Sequence, residues 1–317
     1  MSTYRTSAMC GLVVIGILTA AGAQDAILRQ SFDLGAEQSA HAQYFVMESK
    51  MIAYALDGTR TGTDVFRLRL KCMPAKLGGR EADEYTCARF TVQLADGPEV
   101  AVPALENWTY RFGPESLDLD DKGQVFGIDH AKFEAITDAN GKAIPPDKAY
   151  HVYNAFIDFH AFCNAFARPV PGGKGIQDLK RIGDKIVHAA AFSEPPVNVG
   201  SHVAEGSTFK NGEVTLAFKG LSHVDGAACA IVAYDSGQSS FQMLMKPMEN
   251  MEIRSVGSSH YQGDLYIDLA SRWVRKATMY ELVVTEITLP MPPNKINAVI
   301  ERDIVIRNVT KAEFAGR

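Results

Sequence analysis

The chain has no apolar run long enough to cross a bilayer as a helix. Its N-terminal run, Gly11-Leu-Val-Val-Ile-Gly-Ile-Leu18, holds eight residues, whereas a spanning helix needs roughly 20. Basic charge is not in excess either. Lys and Arg number 32 against 37 Asp and Glu, for a net charge of −5, and the two signs are mixed along the sequence. That balance excludes the basic footprint of a nucleic-acid binder and gives no attraction to an anionic membrane. Cysteine is sparse, at five in 317 residues, so the fold must rest on a core rather than on staples, and the length suffices for one.

Catalytic and phosphate-binding signatures are also missing. The chain contains no His-Glu-x-x-His, and no two histidines stand four apart as a zinc helix requires. It has no Gly-x-Ser-x-Gly elbow. Ser207-Thr-Phe-Lys210 matches Ser-x-x-Lys but opens a strand instead of a helix, and Gly172-Gly173-Lys174-Gly175 lacks phosphate-loop spacing. The run Asp118 to Asp129 superficially resembles a calcium loop. Lys122 stands at a ligand position, where a cation repels Ca²⁺, and an Asp-rich hairpin turn accounts better for it. No cofactor and no metal are expected. The weak metal candidates are Met243, Met245, Met248 and Met251, with His260 nearby. Thioethers suit Cu(I), yet Met243 and Met245 share parity with Phe241 and read better as a core face.

The N-terminus reads as an export signal. Arg5 precedes the apolar run, and Ala21-Gly22-Ala23 supplies small-x-small before Gln24. Residues 1–23 therefore form a secretory signal peptide and 24–317 one domain, periplasmic or secreted, with no transmembrane segment after cleavage. Cys10 lies before the apolar run, which does not fit a lipidation site. Export permits disulfides among Cys72, Cys87, Cys163 and Cys229, with three possible connectivities. Cys72 and Cys87 sit symmetrically about Gly78-Gly79-Arg80, which favours a bridge across a hairpin. Their parities differ, which opposes it unless a bulge intervenes. Asn107-Trp-Thr109 and Asn308-Val-Thr310 match the glycosylation sequon, relevant to a eukaryotic secretory route.

The clearest pattern is 260–288. Leu265, Ile267 and Leu269 alternate with polar neighbours, and after Leu269-Ala270-Ser271-Arg272 the run Ala277, Met279, Val283, Ile287 continues one face, interrupted by Arg275 and Glu281. Period-2 alternation predicts strands with one wet face. Similar patterning predicts strands from 43, over 65–73, 85–94 and 100–112, and, in the second half, over 209–218, 227–235, 241–245, 260–268, 273–289 and 295–309. In 65–73, Phe66, Leu68 and Leu70 point inward while Arg67, Arg69 and Lys71 point outward. A hairpin is expected over 117–126.

Between these blocks lies helical sequence. Residues 25–41 form a short helix or an arm, 129–136 a short helix, 147–167 the main helix with Asp147 as N-cap, and 176–191 a second. The layout is β over 43–126, helical over 129–191 and β over 208–309. This predicts an α+β, mostly β fold, a large twisted antiparallel sheet or half-barrel covered by a helical layer. One sheet and two both remain open.

Short motifs carry a resemblance. Asp120-Asp121-Lys122-Gly123-Gln124-Val125, Pro195-Pro196-Val197-Asn198-Val199-Gly200-Ser201 and Gly263-Asp264-Leu265-Tyr266-Ile267-Asp268 with Trp273 resemble patterns in uncharacterised exported bacterial proteins. The inferred layout is similar to that of periplasmic lipoprotein carriers, in which a curved sheet cradles an acyl chain beneath helices. The resemblance implies fold and compartment, and no residue roles. The expected function is binding or carriage of a hydrophobic small molecule, lipid or partner segment on the concave face. Tyr153, Phe156, Phe159, His160, Phe162 and Phe166 of the main helix are the expected lining, although His160 also reads as a hydrogen-bonded core residue. The alternatives are a structural or interaction protein without ligand, and a secreted hydrolase whose catalytic residues are scattered.

Overall fold

A computed structural model describes residues 26–35, 41–113, 126–170, 172–193, 203–248, 251–292 and 294–316. The signal peptide, most of the hairpin expected at 117–126 and most of the candidate calcium loop lie outside them. Fourteen strands follow one another: β1 Gln43–Tyr54, β2 Arg60–Leu77, β3 Arg80–Gln93, β4 Glu99–Ala101, β5 Trp108–Phe112, β6 Lys185–His188, β7 Phe192–Ser193, β8 Thr208–Lys210, β9 Val214–Val224, β10 Ala227–Asp235, β11 Ser239–Met248, β12 Met251–Asp268, β13 Val274–Thr288 and β14 Lys295–Asn308. The main helix α1 is Pro146–His160, and α2 is Lys311–Ala315.

All described pairings are antiparallel, in the order β4-β3-β2-β1-β14-β13-β12-β10-β9-β6, with β5 added to β3 and β11, β8 and β7 branching from β12. The first strand pairs with the last, from Phe45 opposite Asn308 to Tyr54 opposite Val299. That ladder merges the two β blocks into one open sheet that does not close into a barrel. In β1, Phe45, Met47 and Met51 are buried while Glu48 and Lys50 are exposed, so alternation selects the face that turns to the core. Two glycines flank the point where the neighbour of the long β12 changes from β11 to β10. A Cβ on Gly257 would stand 2.5 Å from the Phe241 ring, and one on Gly263 would stand 1.9 Å from the Thr278 carbonyl. Only glycine admits such close approach.

Several boundaries correct the expectations. The segment 100–112 breaks into β4 and β5, because Pro103 opens a 3₁₀ turn and Asn107 takes a positive φ. The segment 209–218 breaks at Gly212, where a Cβ would meet the Ser236 carbonyl at 2.5 Å. No second long helix forms over 176–191. Only Ile176–Asp178 is helical, as a 3₁₀ turn. Gly183 then takes φ +99°, Asp184 accepts from the Lys180 and Arg181 amides, and β6 joins the sheet. The helical spacing of Ile182 and Ile186 is thus a coincidence that local turn chemistry overrides. At 129–136 the helix shortens to a 3₁₀ turn, His130–Phe133. Residues 26–29 make one helical turn of the N-terminal arm. Asp147 is not the N-cap of α1: Pro145 holds that place, and Pro146 starts the helix, where its missing N–H leaves nothing unsatisfied.

The C-terminal half of α1, continued by a π turn over Ala161–Ala165, fills the concave sheet. Phe159 packs edge-on to Phe45 and Tyr85, Phe156 stacks on Phe90, and Phe162 stacks on Tyr234. Each buried aromatic ring contributes on the order of 2–3 kcal/mol by burial. Inside this packing lies a polar chain. His160 Nε2 is 2.7 Å from the Tyr110 hydroxyl, and the Asn164 amide, turned so that its nitrogen donates 2.7 Å to His160 Nδ1, accepts from Tyr85 and Arg168. Arg168 in turn pairs with the buried Asp83 and lies over the Trp273 ring. A neutral imidazole, donating from Nε2 and accepting at Nδ1, satisfies both of its own contacts in this chain.

The four cysteines of the described residues are free and buried. The bulge that a Cys72–Cys87 bridge requires does exist, at Arg69/Leu70, and puts both thiols on the buried side. It sets Cys72 opposite Tyr85 and Cys87 opposite Leu70, however, so the two do not face each other and no bridge joins them.

Burial lowers the His160 pKa from 6.5 to about 3. The unfolded chain therefore takes up a proton that the native one refuses, so this stability is present above the unfolded pKa and is lost as pH falls. Urea unfolding near pH 7.5 and near pH 5 should show a drop of which His160 supplies about 2 kcal/mol. In His160→Gln the drop should shrink by that amount; equal drops in both proteins would refute the assignment.

Candidate functional site

The N-terminal half of α1 stands off from the sheet and leaves a cavity of about 660 Å³. Register places its lining in rows. One row crosses the sheet as Glu281, Arg302, Met51 and Asp64. The next is Ser259, Val283, Ile300, Ala53 and Gly62, and further along the strands come Met243, Ser255 and Ile287. Phe209, Phe241 and Met245 extend the apolar end. From Glu281 to Ile287 the gradient from charged to apolar spans about 20 Å at the rise of a strand.

Two sets of ion pairs pin α1 over this face. Arg302 donates to Asp158 of α1 at 2.6 Å and to Glu281 of β13 at 2.7 Å, all three groups being nearly buried. Lys148 of α1 reaches Asp64 of β2 at 2.7 Å and Asp147 at 3.3 Å. Asp64 also accepts from the Ala95 amide. Burial lifts Asp158 to about 6 although Arg302 opposes the shift. Burial, aided by the positive charges of Arg302 and Lys148, holds His151 down at about 4. Two buried polar atoms of the lining lack hydrogen-bond partners: His151 Nδ1 and Ser259 Oγ. By contrast the Ser255 and Thr285 hydroxyls satisfy each other at 2.8 Å.

The six aromatic-helix residues named from the sequence are packed elsewhere. Tyr153, Phe156, Phe159, His160 and Phe162 are buried in the filled core, with Phe166 against it, and none borders the cavity. The helix face that does border it carries Asp147, Tyr150, His151 and Asn154. This is the polar stripe of α1, and its helical spacing was the available signal. Sequence alone reads such a stripe as solvated.

The methionine group is not assembled as a metal site. Met243 and Met245 line the cavity, but Met248 is 61% exposed, opposite Met251 in the β11–β12 hairpin. His260 lies on the other face of β12, where it donates 2.9 Å to Asp235. Among the described residues no three His, Cys, Asp or Glu side chains stand close enough to hold a metal ion. Ser207 is held by the Ala204 carbonyl and the Leu244 amide, which leaves it no general base. In the cavity, Ser259 Oγ and His151 Nδ1 join no nucleophile–base–carboxylate chain.

No protein-family model matches this chain, and no curated protein matches it. Solved structures give weak likenesses. A Bacteroides fragilis protein of YmcC-like fold, inferred to be exported, is 9% identical over 86% of this chain and 97% of its own, with a TM-score of 0.19. A DUF1329 family protein from Desulfovibrio piger is 9% identical over 87% and 91%, with a TM-score of 0.14. A loop-deleted OmpT, an outer membrane protein of Vibrio cholerae, is 8% identical over 85% and 99%, with a TM-score of 0.17. Scores this low leave the site and its chemistry to be read from this chain alone. No helix among the described residues is long and apolar enough to cross a membrane.

Arg302 is the hinge pin of the site. Arg302→Met leaves Asp158 and Glu281 buried without their cation, and should destabilise the fold by about 3–5 kcal/mol. Adding Asp158→Asn and Glu281→Gln should recover much of that loss in urea unfolding. A single variant as stable as the parent would show that the triad does not hold α1.

Proposed function

We propose that this chain is an exported binding protein of the carrier type, which holds a hydrophobic small molecule between α1 and the concave face of its sheet. The cavity carries this reading. A half-open space of about 660 Å³ lies against the apolar side chains Val283, Ile287, Ile300, Met243 and Met245. The size and the mostly apolar lining with a few convergent polar groups suit a ligand site. The N-terminal signal pattern, Arg5 to Ala23, supports export to the periplasm or beyond. The ligand would lie against the polar stripe of α1 and the β12–β14 rows, away from the aromatic core.

A second reading, an interaction protein without a ligand, has one observation behind it. On the convex face Val256, Leu282 and Val284 are exposed on adjacent strands. That reading expects no extractable ligand and no effect of cavity substitutions.

Fluorescence of N-phenyl-1-naphthylamine should rise on mixing with the purified protein. Competing alkyl ligands should gain about 0.8 kcal/mol, roughly fourfold in affinity, for each added methylene that enters the cavity. Val283→Asp should weaken binding by about tenfold or more, since it puts a charge among apolar groups. If the probe binds Val283→Asp as well as the parent, and mass spectrometry of the native protein finds no ligand, the binding reading is wrong.

A further inference from the structure

The cavity also discriminates by its charge, an inference that rests on the binding reading above. Its inner end is rich in acceptors and has no spare donor of positive charge. Lys148 is already divided between Asp64 and Asp147, and Arg302 between Asp158 and Glu281. Three carboxylates of the lining and Asp158 outside it thus share two cations, and both contacts that Glu281 makes with Arg302 fall on Oε2. Beside them Ser259, 97% buried on the 3% exposure of its residue, keeps Oγ without a partner. It stands opposite Val283, one row from Glu281. His151 Nδ1 is a further unpartnered atom of this end. Buried polar groups are generally hydrogen-bonded, and these two border the cavity, where a bound head group would be within their reach.

We propose that the cavity selects amphiphiles whose head is a hydrogen-bond donor or a cation, an alkylamine or an alkanol, and rejects fatty carboxylates. The head would meet Ser259 and Glu281, and the tail would run along β12 to β14 toward Met243 and Ile287. A carboxylate head would add a further negative charge where Lys148 and Arg302 are already paired. An ammonium would reduce the excess, and a hydroxyl could donate to Ser259 Oγ or to Glu281.

The test is displacement of N-phenyl-1-naphthylamine from the full chain by decylamine, decanol and decanoate, which share one tail. The assay runs near pH 8, where Asp158, lifted to about 6 by burial, is ionised. Decylamine and decanol should displace the probe at midpoints about tenfold or more below that of decanoate, a difference equal to one lost charge-assisted contact. Glu281→Gln should narrow the gap between amine and carboxylate by about fivefold. Ser259→Ala, which leaves the ion pairs in place, should weaken decanol by about fivefold and leave decanoate unchanged. Decanoate binding as tightly as the other two overturns the head-group selection while leaving the binding reading intact, as does a probe that none of the three displaces. A probe that fails to bind at all removes both.

Discussion

Pairing of β1 with β14 is the constraint on which the rest depends. It joins residues some 250 positions apart, Phe45 with Asn308 and Ala53 with Ile300 among them, and its backbone hydrogen bonds turn two β blocks into one surface. Without it Met51 and Arg302 would not be neighbours, and the row that carries Asp64, Arg302 and Glu281 across three ladders would not exist. The sheet remains open because its ends, β4 and β5 on one side and β6 on the other, meet no partner among the described strands.

The long helix α1 divides the concave face into two environments. Its C-terminal half brings Phe156, Phe159 and Phe162 into contact with the sheet aromatics, and a satisfied polar chain through His160 and Asn164 fixes their geometry. Its N-terminal half carries Lys148, Tyr150, His151 and Asn154, too polar to be pressed onto apolar strands without cost. The Lys148–Asp64 ion pair holds that half over the sheet instead, while Arg302 grips Asp158 in the last turns of the helix. An open space follows from this mismatch: the same helix is a core element at one end and a roof at the other.

Much of this was legible from local pattern. Alternation in Phe66, Leu68, Leu70 against Arg67, Arg69, Lys71 located β2 and its inner face. The prolines at 145 and 146 located the start of α1. Errors arose where local chemistry competed with periodicity, as at Gly183 and Asp184, where a turn ended a helical-looking run. They arose also where one strand pattern hid a change of partner, as at Pro103 and Gly212. The aromatic face of α1 is packed in the core, and its polar face borders the cavity, because one helix stripe cannot fill the core and line an open space at once.

Sequence alone determined the mostly β class, the face each long strand buries and the absence of any familiar catalytic signature, since these depend on spacing within a few residues. Tertiary structure alone decided that there is one sheet, that Cys72 and Cys87 stay apart, and that Ser259, Glu281 and Arg302 share a cavity. Those facts depend on which distant strands pair and in what register, and register is an energy of the whole assembled sheet that no short window of sequence contains.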